Sequence, residues 1–179
     1  MQEADMQYIS HYDSPIGDIL LAADQAGLTG LWFDGQKYYA HHLDPKHEEK
    51  ELPVFENVKH WLTIYFSGKE PDFMPPLHMI GSPFQIAVWE ILRNIPYGKT
   101  MTYGEIAKIV AEKQGLPHMS PQAVGGAVGH NKISILIPCH RVVGTDGSLT
   151  GYAGGIDKKA KLLNLEKADM KNYLCREST

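Results

Sequence analysis

Residues 69 to 83, KEPDFMPPLHMIGSP, place four prolines and a glycine in fifteen positions. Proline has no amide donor and a fixed φ, so neither a helix nor a central strand can run through this stretch. The chain must fold as one body before it and another after it, and we place the domains at 1–81 and 82–179. The two parts differ in charge as well as in pattern. Residues 1–81 carry 5 Lys/Arg against 13 Asp/Glu, a net of −8, and residues 82–179 carry 12 against 8, a net of +4. The whole-chain figure of −4 hides this split. A basic half joined to an acidic one fits a protein that meets a polyanion with its second half only, although drift in surface charge gives the same numbers.

With 179 residues and 43 % hydrophobic composition, each half is long enough to bury a core. QYISHYDSPIGDILLAADQAGLTGLWFDG reads as three antiparallel strands, with turns at Ser14-Pro15-Ile16-Gly17 and Gln25-Ala26-Gly27. HHLDPKHEEKELP reads as a polar loop. Its histidines, His41, His42 and His47, lack the ligand spacing a metal needs, and we expect no metal and no cofactor. From Pro53 to Phe66, Val54, Phe55, Val58, Trp61, Leu62 and Tyr65 recur at helical spacing until Gly68. The fold class expected is therefore α+β, with a small antiparallel sheet and a helix in the first half.

The second half is mostly helical. FQIAVWEILRNIP shows Phe84, Val88, Ile91 and Leu92 on one face. Thr102 and Glu105 fit a capping box that starts YGEIAKIVAEKQG. Ser120-Pro121 then starts PQAVGGAVGHN, with serine as the cap and proline in the first turn. Gly125 and Gly126 lie inside that helix, where each costs about 0.8–1.0 kcal/mol relative to alanine. Close packing on another helix would explain them, and so would close approach of a bulky partner. KISILI and RVVG read as a strand pair, and with the two helices before them they suggest a winged helix-turn-helix. A last helix begins near Asp157 and presents Leu162, Leu163 and Leu165 to a core.

The N-terminus, MQEADMQ, has no basic and apolar leader pattern, and no apolar run reaches the length of a membrane span. We expect no membrane association and a cytoplasmic setting. Two cysteines, Cys139 and Cys175, make no disulfide framework. Cys139 stands in ILIPCHRVVG, next to His140 and Arg141. Neighbours on an extended strand point to opposite faces, so thiol and imidazole meet only if the chain turns, which Pro138 permits. A cysteine beside a base can be a nucleophile, and a buried cysteine can equally be inert.

ILIPCHRVVG resembles the active-site segment of the O6-alkylguanine-DNA alkyltransferases. The resemblance extends through FQIAVWEILRNIPYGKTMTYGEIA, QAVGGAVGHN and GSLTGYAGGIDKKAKLLNLE, covering residues 83 to 167. It implies that Cys139 accepts an alkyl group from O6-alkylguanine in double-stranded DNA, irreversibly and once per protein. His140 would take the thiol proton through a water, with Glu166 holding the imidazole. Asn131 would tie the recognition helix to the active-site strand, and Tyr103 would meet the flipped base and favour protonation of the departing guanine. Gln122, Ala123, Gly125, Gly126, Arg141, Val142, Tyr152, Ala153 and Gly154 would contact substrate or DNA. By charge and position, Lys99, Lys132 and Arg141 are candidate phosphate contacts. The recognition helix would lie in the minor groove, and the damaged nucleotide would rotate out of the stack. The resemblance also implies a ribonuclease H-like outline for the first half.

Two departures stand out. Gln122 occupies the place of an arginine usual in the family, and AEKQGLPHMSP is a longer link than usual between the two helices. Rival readings are a non-catalytic lesion binder of the alkyltransferase-like kind, a winged-helix regulator with a structural cysteine, and a cysteine hydrolase. A monomer is the default expectation.

Overall fold

The computed structural model describes residues 6–36, 39–40, 43, 45–149, 151–168 and 174–175. Its residues form two compact units, 1–80 with 132–134, and 81–131 with 135–179.

In the first unit, β1 (Gln7–Ser14), β2 (Gly17–Asp24) and β3 (Gly27–Phe33) form an antiparallel meander, and β4 (His47–Glu49) joins β1 in parallel, giving the order β3-β2-β1-β4. Ser14 closes the first turn by donating to the Gly17 carbonyl at 2.5 Å. Asp24 closes the second, accepting from the amides of Ala26 (2.8 Å) and Gly27 (3.2 Å). Ile19 to Ala23 are all buried, which an unbroken apolar run inside a sheet covered on both faces explains. One face holds Leu20, Ala22 and Trp32, with Ile9, Ala40 and Leu43 packed beside them. The helix α1 (Pro53–Phe66) packs on β1, β2 and β3 and buries Phe55, Val58, Trp61, Leu62 and Tyr65. The segment read as a polar loop thus supplies a short edge strand at His47, while His41 and His42 lie outside the described residues. Residues 132–134 run along β3, with the Leu31 amide donating to the Lys132 carbonyl at 2.7 Å and the Ser134 amide to the Leu31 carbonyl at 3.2 Å.

The second unit holds α2 (Pro83–Arg93), α3 (Tyr103–Gln114), α4 (Pro121–Gly129) and α5 (Ile156–Leu165). Each of the first three starts on a side-chain cap. Ser82 Oγ accepts from the Gln85 amide at 3.1 Å while Gln85 reaches back to the Ser82 amide, a capping box that the Ser-x-x-Gln spacing encodes. Thr102 accepts from the Glu105 amide at 3.1 Å, and Ser120 from the amides of Gln122 and Ala123. Gly115 ends α3 with φ +66°, a conformation that suits glycine. The Trp89 indole N–H binds the Ala127 carbonyl at 2.9 Å and joins α2 to α4.

The strand pair expected from KISILI and RVVG does not form. Residues 134–136 turn instead, and Ile135 sits at φ +71°, a left-handed conformation rare for a β-branched residue. In its place β6 (Val142–Val143) pairs in parallel with β5 (Met101–Thr102), and β7 (Ser148–Leu149) pairs in parallel with β8 (Leu174–Cys175). Leu162 and Leu163 of α5 are buried as expected, whereas Leu165 is only half-buried.

Candidate active site

Pro138 ends the extended approach to the cysteine, and Cys139–Arg141 form one turn of 3-10 helix closed by the Arg141 amide on the Pro138 carbonyl at 3.0 Å. The turn buries three consecutive reactive or charged side chains, Cys139, His140 and Arg141. Such groups stay buried only when hydrogen-bonded or charge-balanced. Glu166 does much of this. It lies just past the end of α5, as its cap, rather than within the helix. Its carboxylate meets His140 Nε2 at 2.6 Å. It also accepts from Arg141 Nε at 2.8 Å, Arg141 Nη2 at 3.0 Å and the Gly98 amide at 3.1 Å. Arg141 Nη1 donates to the Ile95 carbonyl at 2.7 Å, and the guanidinium centre lies 5.7 Å from the Tyr97 ring centroid.

The electrostatics follow from this wiring. Burial pushes the Glu166 carboxyl up, but the hydrogen bonds from His140 and Arg141 and the fixed charge of Arg141 outweigh it and hold the group ionised, well below the usual carboxylate range. Burial lowers His140, and the Glu166 contact only partly opposes that, so the imidazole is held neutral. Burial raises the Cys139 thiol. A side-chain hydrogen bond from Asn131, the charge of Lys159 and the backbone amides of Cys139 and His140 act the other way. Asn131 also donates to the Ile137 carbonyl at 2.8 Å, bracing the segment that leads to the cysteine. Tyr103, first residue of α3, is pushed up to about 12 by burial and by the thiolate charge of Cys139, so it stays a phenol. A Cβ added at Gly151 would lie 3.6 Å from its hydroxyl, and one at Gly125 would lie 3.9 Å from its ring. Tyr103 thus has α4 on one side and the loop before α5 on the other.

Cys139, His140, Glu166, Asn131 and Tyr103 therefore gather in one place. Arg141 does not have the surface position of a phosphate contact. It is buried, and its guanidinium is spent on Glu166 and Ile95. Val142 is fully buried in β6 and presents nothing to an outer face. Lys132 donates its ammonium to the Ile80 carbonyl at 2.7 Å, within the first unit. Lys99 is exposed. On α4, Gln122, Ala123 and Gly126 are exposed, and a Cβ at Gly126 would meet nothing within 4 Å. Packing on another helix therefore does not account for Gly126. Tyr152 is buried, and Ala153 and Gly154 beside it are half-buried.

One residue at this site escaped the reading of the sequence. Lys159 is completely buried on the inner face of α5. The available signal was its spacing. Lys159, Leu162 and Leu163 are i, i+3 and i+4, which puts the lysine on the apolar stripe. Among the described residues no group of three His, Cys, Asp or Glu side chains could hold a metal ion, and no helix is long and apolar enough to cross a membrane.

The chain is similar to known proteins along most of its length. Residues 83–168 match the model of the 6-O-methylguanine DNA methyltransferase DNA-binding domain, and residues 7–79 match that family's ribonuclease-like domain. A methylated-DNA–protein-cysteine methyltransferase of Haemophilus influenzae is 43 % identical over 162 residues, 89 % of this chain and 86 % of the relative. One from Methanosarcina acetivorans is 45 % identical over 159 residues, 89 % of this chain and 97 % of its own length. Among solved structures, a Mycobacterium tuberculosis OGT in complex with DNA is 41 % identical with a TM-score of 0.75, covering 90 % of this chain and 92 % of that one.

Proposed function

This chain belongs to the 6-O-methylguanine DNA methyltransferase family, and on that premise we propose that it repairs DNA by moving a methyl group from guanine O6 onto Cys139, once per protein molecule. The observation that carries this reading is the buried turn Cys139-His140-Arg141 locked to Glu166. In the step proposed, the thiol proton passes through a water to the neutral His140 ring. His140 Nε2 is engaged by Glu166, so Nδ1 is the accepting nitrogen. The sulfur lone pair forms the S–C bond as the C–O6 bond breaks, and that electron pair moves into the guanine. Tyr103, as a phenol, hydrogen-bonds the departing base, guanine takes a proton at N1 from water, and His140 gives the thiol proton back to water, so the count closes. The products are a thioether and an intact guanine.

The DNA partner is double-stranded and carries O6-alkylguanine. The alkyl group lies inside the duplex, so the nucleotide must leave the stack to reach a buried sulfur. The exposed face of α4, with open space over Gly126, suits close approach of a minor-groove backbone. Gln122 at the start of that face stacks on neighbouring bases less well than an arginine would. Residues 103–129 act as the helix-turn-helix of this reading, and the protein acts as a monomer. The alkyltransferase-like lesion binders lack the acceptor cysteine, whereas here Cys139 is present beside a neutral imidazole, which supports transfer.

Mixing the protein with O6-methylguanine duplex and weighing it intact tests the reading. One added methyl, mapped to Cys139 and absent from Cys175, is the expected result. Label on Cys175, no label, or several turnovers per molecule would overturn it.

A further inference from the structure

We propose that the first unit carries a binding site for a small organic monocarboxylate, built from Gln7, Thr29, Trp32, Ile80 and Lys132.

These five residues line a cavity of about 250 Å³, and all of them belong to the first unit. That volume lies at the small end for ligand sites, so the occupant is a small molecule. The cavity sits at an irregularity of the sheet. Ala22 pairs with Gly30 and Ala23 with Leu28, which leaves Thr29 as an extra residue in β3 with no partner in β2. A bulge of this kind breaks the alternation of side chains and re-aims one of them. The outer edge of β3 is covered at Leu28 by residues 76–78 and at Leu31 by residues 132–134, and Thr29 lies between the two covers. Lys132 Nζ donates to the Ile80 carbonyl at 2.7 Å and joins the second cover to the chain that leaves the first.

The chemistry of the lining selects the ligand. Thr29 is 5 % exposed, and its hydroxyl has no hydrogen-bond partner among the described residues. An unpaired buried hydroxyl costs stability, and a valine would fill the same space without that cost. Packing therefore does not account for this threonine, whereas a ligand oxygen does. Lys132 is half-buried, and burial lowers its pKa from the ordinary lysine value, so its charge is incompletely solvated. Its ammonium has three donor protons, and the Ile80 carbonyl occupies one. Gln7 adds an amide. The ring of Trp32 fills the space that a side chain at Gly30 would take, and with Ile80 it gives an aromatic and aliphatic wall. One ammonium balances one negative charge, which favours a carboxylate over a phosphate dianion. The wall favours an anion with a carbon skeleton over an inorganic one. A flat aromatic acid satisfies both.

The test adds benzoate to the full-length protein and follows the indole N–H signal of Trp32 by NMR, assigned by its loss in Trp32→Phe. Benzamide, the neutral analogue, and inorganic phosphate are the comparisons. Benzoate should shift the signal saturably and bind about tenfold more tightly than either, as a charge-assisted hydrogen bond allows. Lys132→Gln should weaken benzoate about tenfold and leave benzamide unchanged. Thr29→Val should weaken benzoate about fivefold, and the free protein should unfold at no lower denaturant concentration than wild type. Absence of saturable binding, or equal binding of benzamide or of phosphate, would overturn the proposal. So would benzoate affinity unchanged in Thr29→Val or in Lys132→Gln. The comparison of the three probes uses wild type alone, so it decides the matter even if a variant does not fold.

Discussion

In the first unit the buried polar side chains are Ser10, Ser14, Thr29, Gln36 and Ser134, and in the second they are Asn131, His140, Arg141, Ser148, Lys159 and Glu166. Hydroxyls and an amide on one side stand against four ionisable groups on the other. Two of the first set serve the backbone, Gln36 Oε1 accepting from the Phe33 amide at 2.7 Å and Ser14 closing its turn, and Ser10 donates to the Glu51 carboxylate. Neutral groups of that kind are cheap to bury once bonded. Charges are not, and a buried ion pair often contributes no more stability than apolar residues of the same volume. The charges in the second unit are therefore best explained by chemistry. The first unit's core reads as scaffold.

The strongest way to break this contrast is Glu166→Gln. General-base assistance is worth about 10²–10⁴-fold, so transfer to Cys139 should slow by that order while duplex binding stays nearly intact. The same change strands the buried Arg141 and should cost about 3–5 kcal/mol of stability, read by denaturant unfolding. A variant that reacted at the wild-type rate would remove Glu166 from the proton relay. The matched change in the first unit is Phe33→Ala. It should destabilise by about 3–5 kcal/mol by leaving a cavity, yet the transfer rate per folded molecule should not change. If that rate fell in step with stability, the first unit would have a part in the chemistry.

Acid sharpens the contrast further. His140 is held neutral inside, with its folded pKa depressed, so the unfolded chain gains the proton first and stability falls once pH drops below about 6.5. Glu166 is depressed too, so its contribution is present above the unfolded carboxylate value, about 4.3, and is lost as pH falls below that toward the folded value. Both signs agree. Hydrogen exchange between pH 7 and 4 should show amides around 139–141 and 162–166 losing protection before those of β2 and β3. The reverse order would mean that the buried charges are not what limits acid stability.

The smallest effects are expected on α4. Gly126→Ala should stabilise the helix by about 1 kcal/mol, because the added methyl meets open space. It should weaken duplex binding if DNA comes close to that face. Gln122→Arg should act in the opposite sense and speed repair of duplex. Both should leave reaction with free O6-benzylguanine unchanged, since a free base needs no flipping. Equal changes in the two substrates would put α4 away from the DNA.

Much of this was legible along the chain, because the signals were local. Two turns, the caps at Thr102 and Ser120 and the period of Phe55, Val58, Trp61, Leu62 and Tyr65 depend on neighbours a few residues away. Cys139 and His140 were legible for the same reason, being adjacent around a proline. The wing failed because KISILI has the composition of a strand. Its fate was decided at Ile135, whose left-handed backbone is held in a fully packed place that composition does not report.

What the sequence determined by itself was the two-part plan, the helices with the caps at Thr102 and Ser120, and the adjacency of Cys139 and His140 around a proline. What only the tertiary structure decided was how those residues divide the labour. Arg141, on its own a phosphate-binding cation, became a partner of Glu166, 25 residues away. Lys159 became a charge fully enclosed on the inner face of α5. The reason is that a charge has no fixed role until its surroundings are known. Burial multiplies the strength of its interactions and removes water as an alternative partner. Which carboxylate, thiol or carbonyl then stands beside it is set by residues far away in the chain.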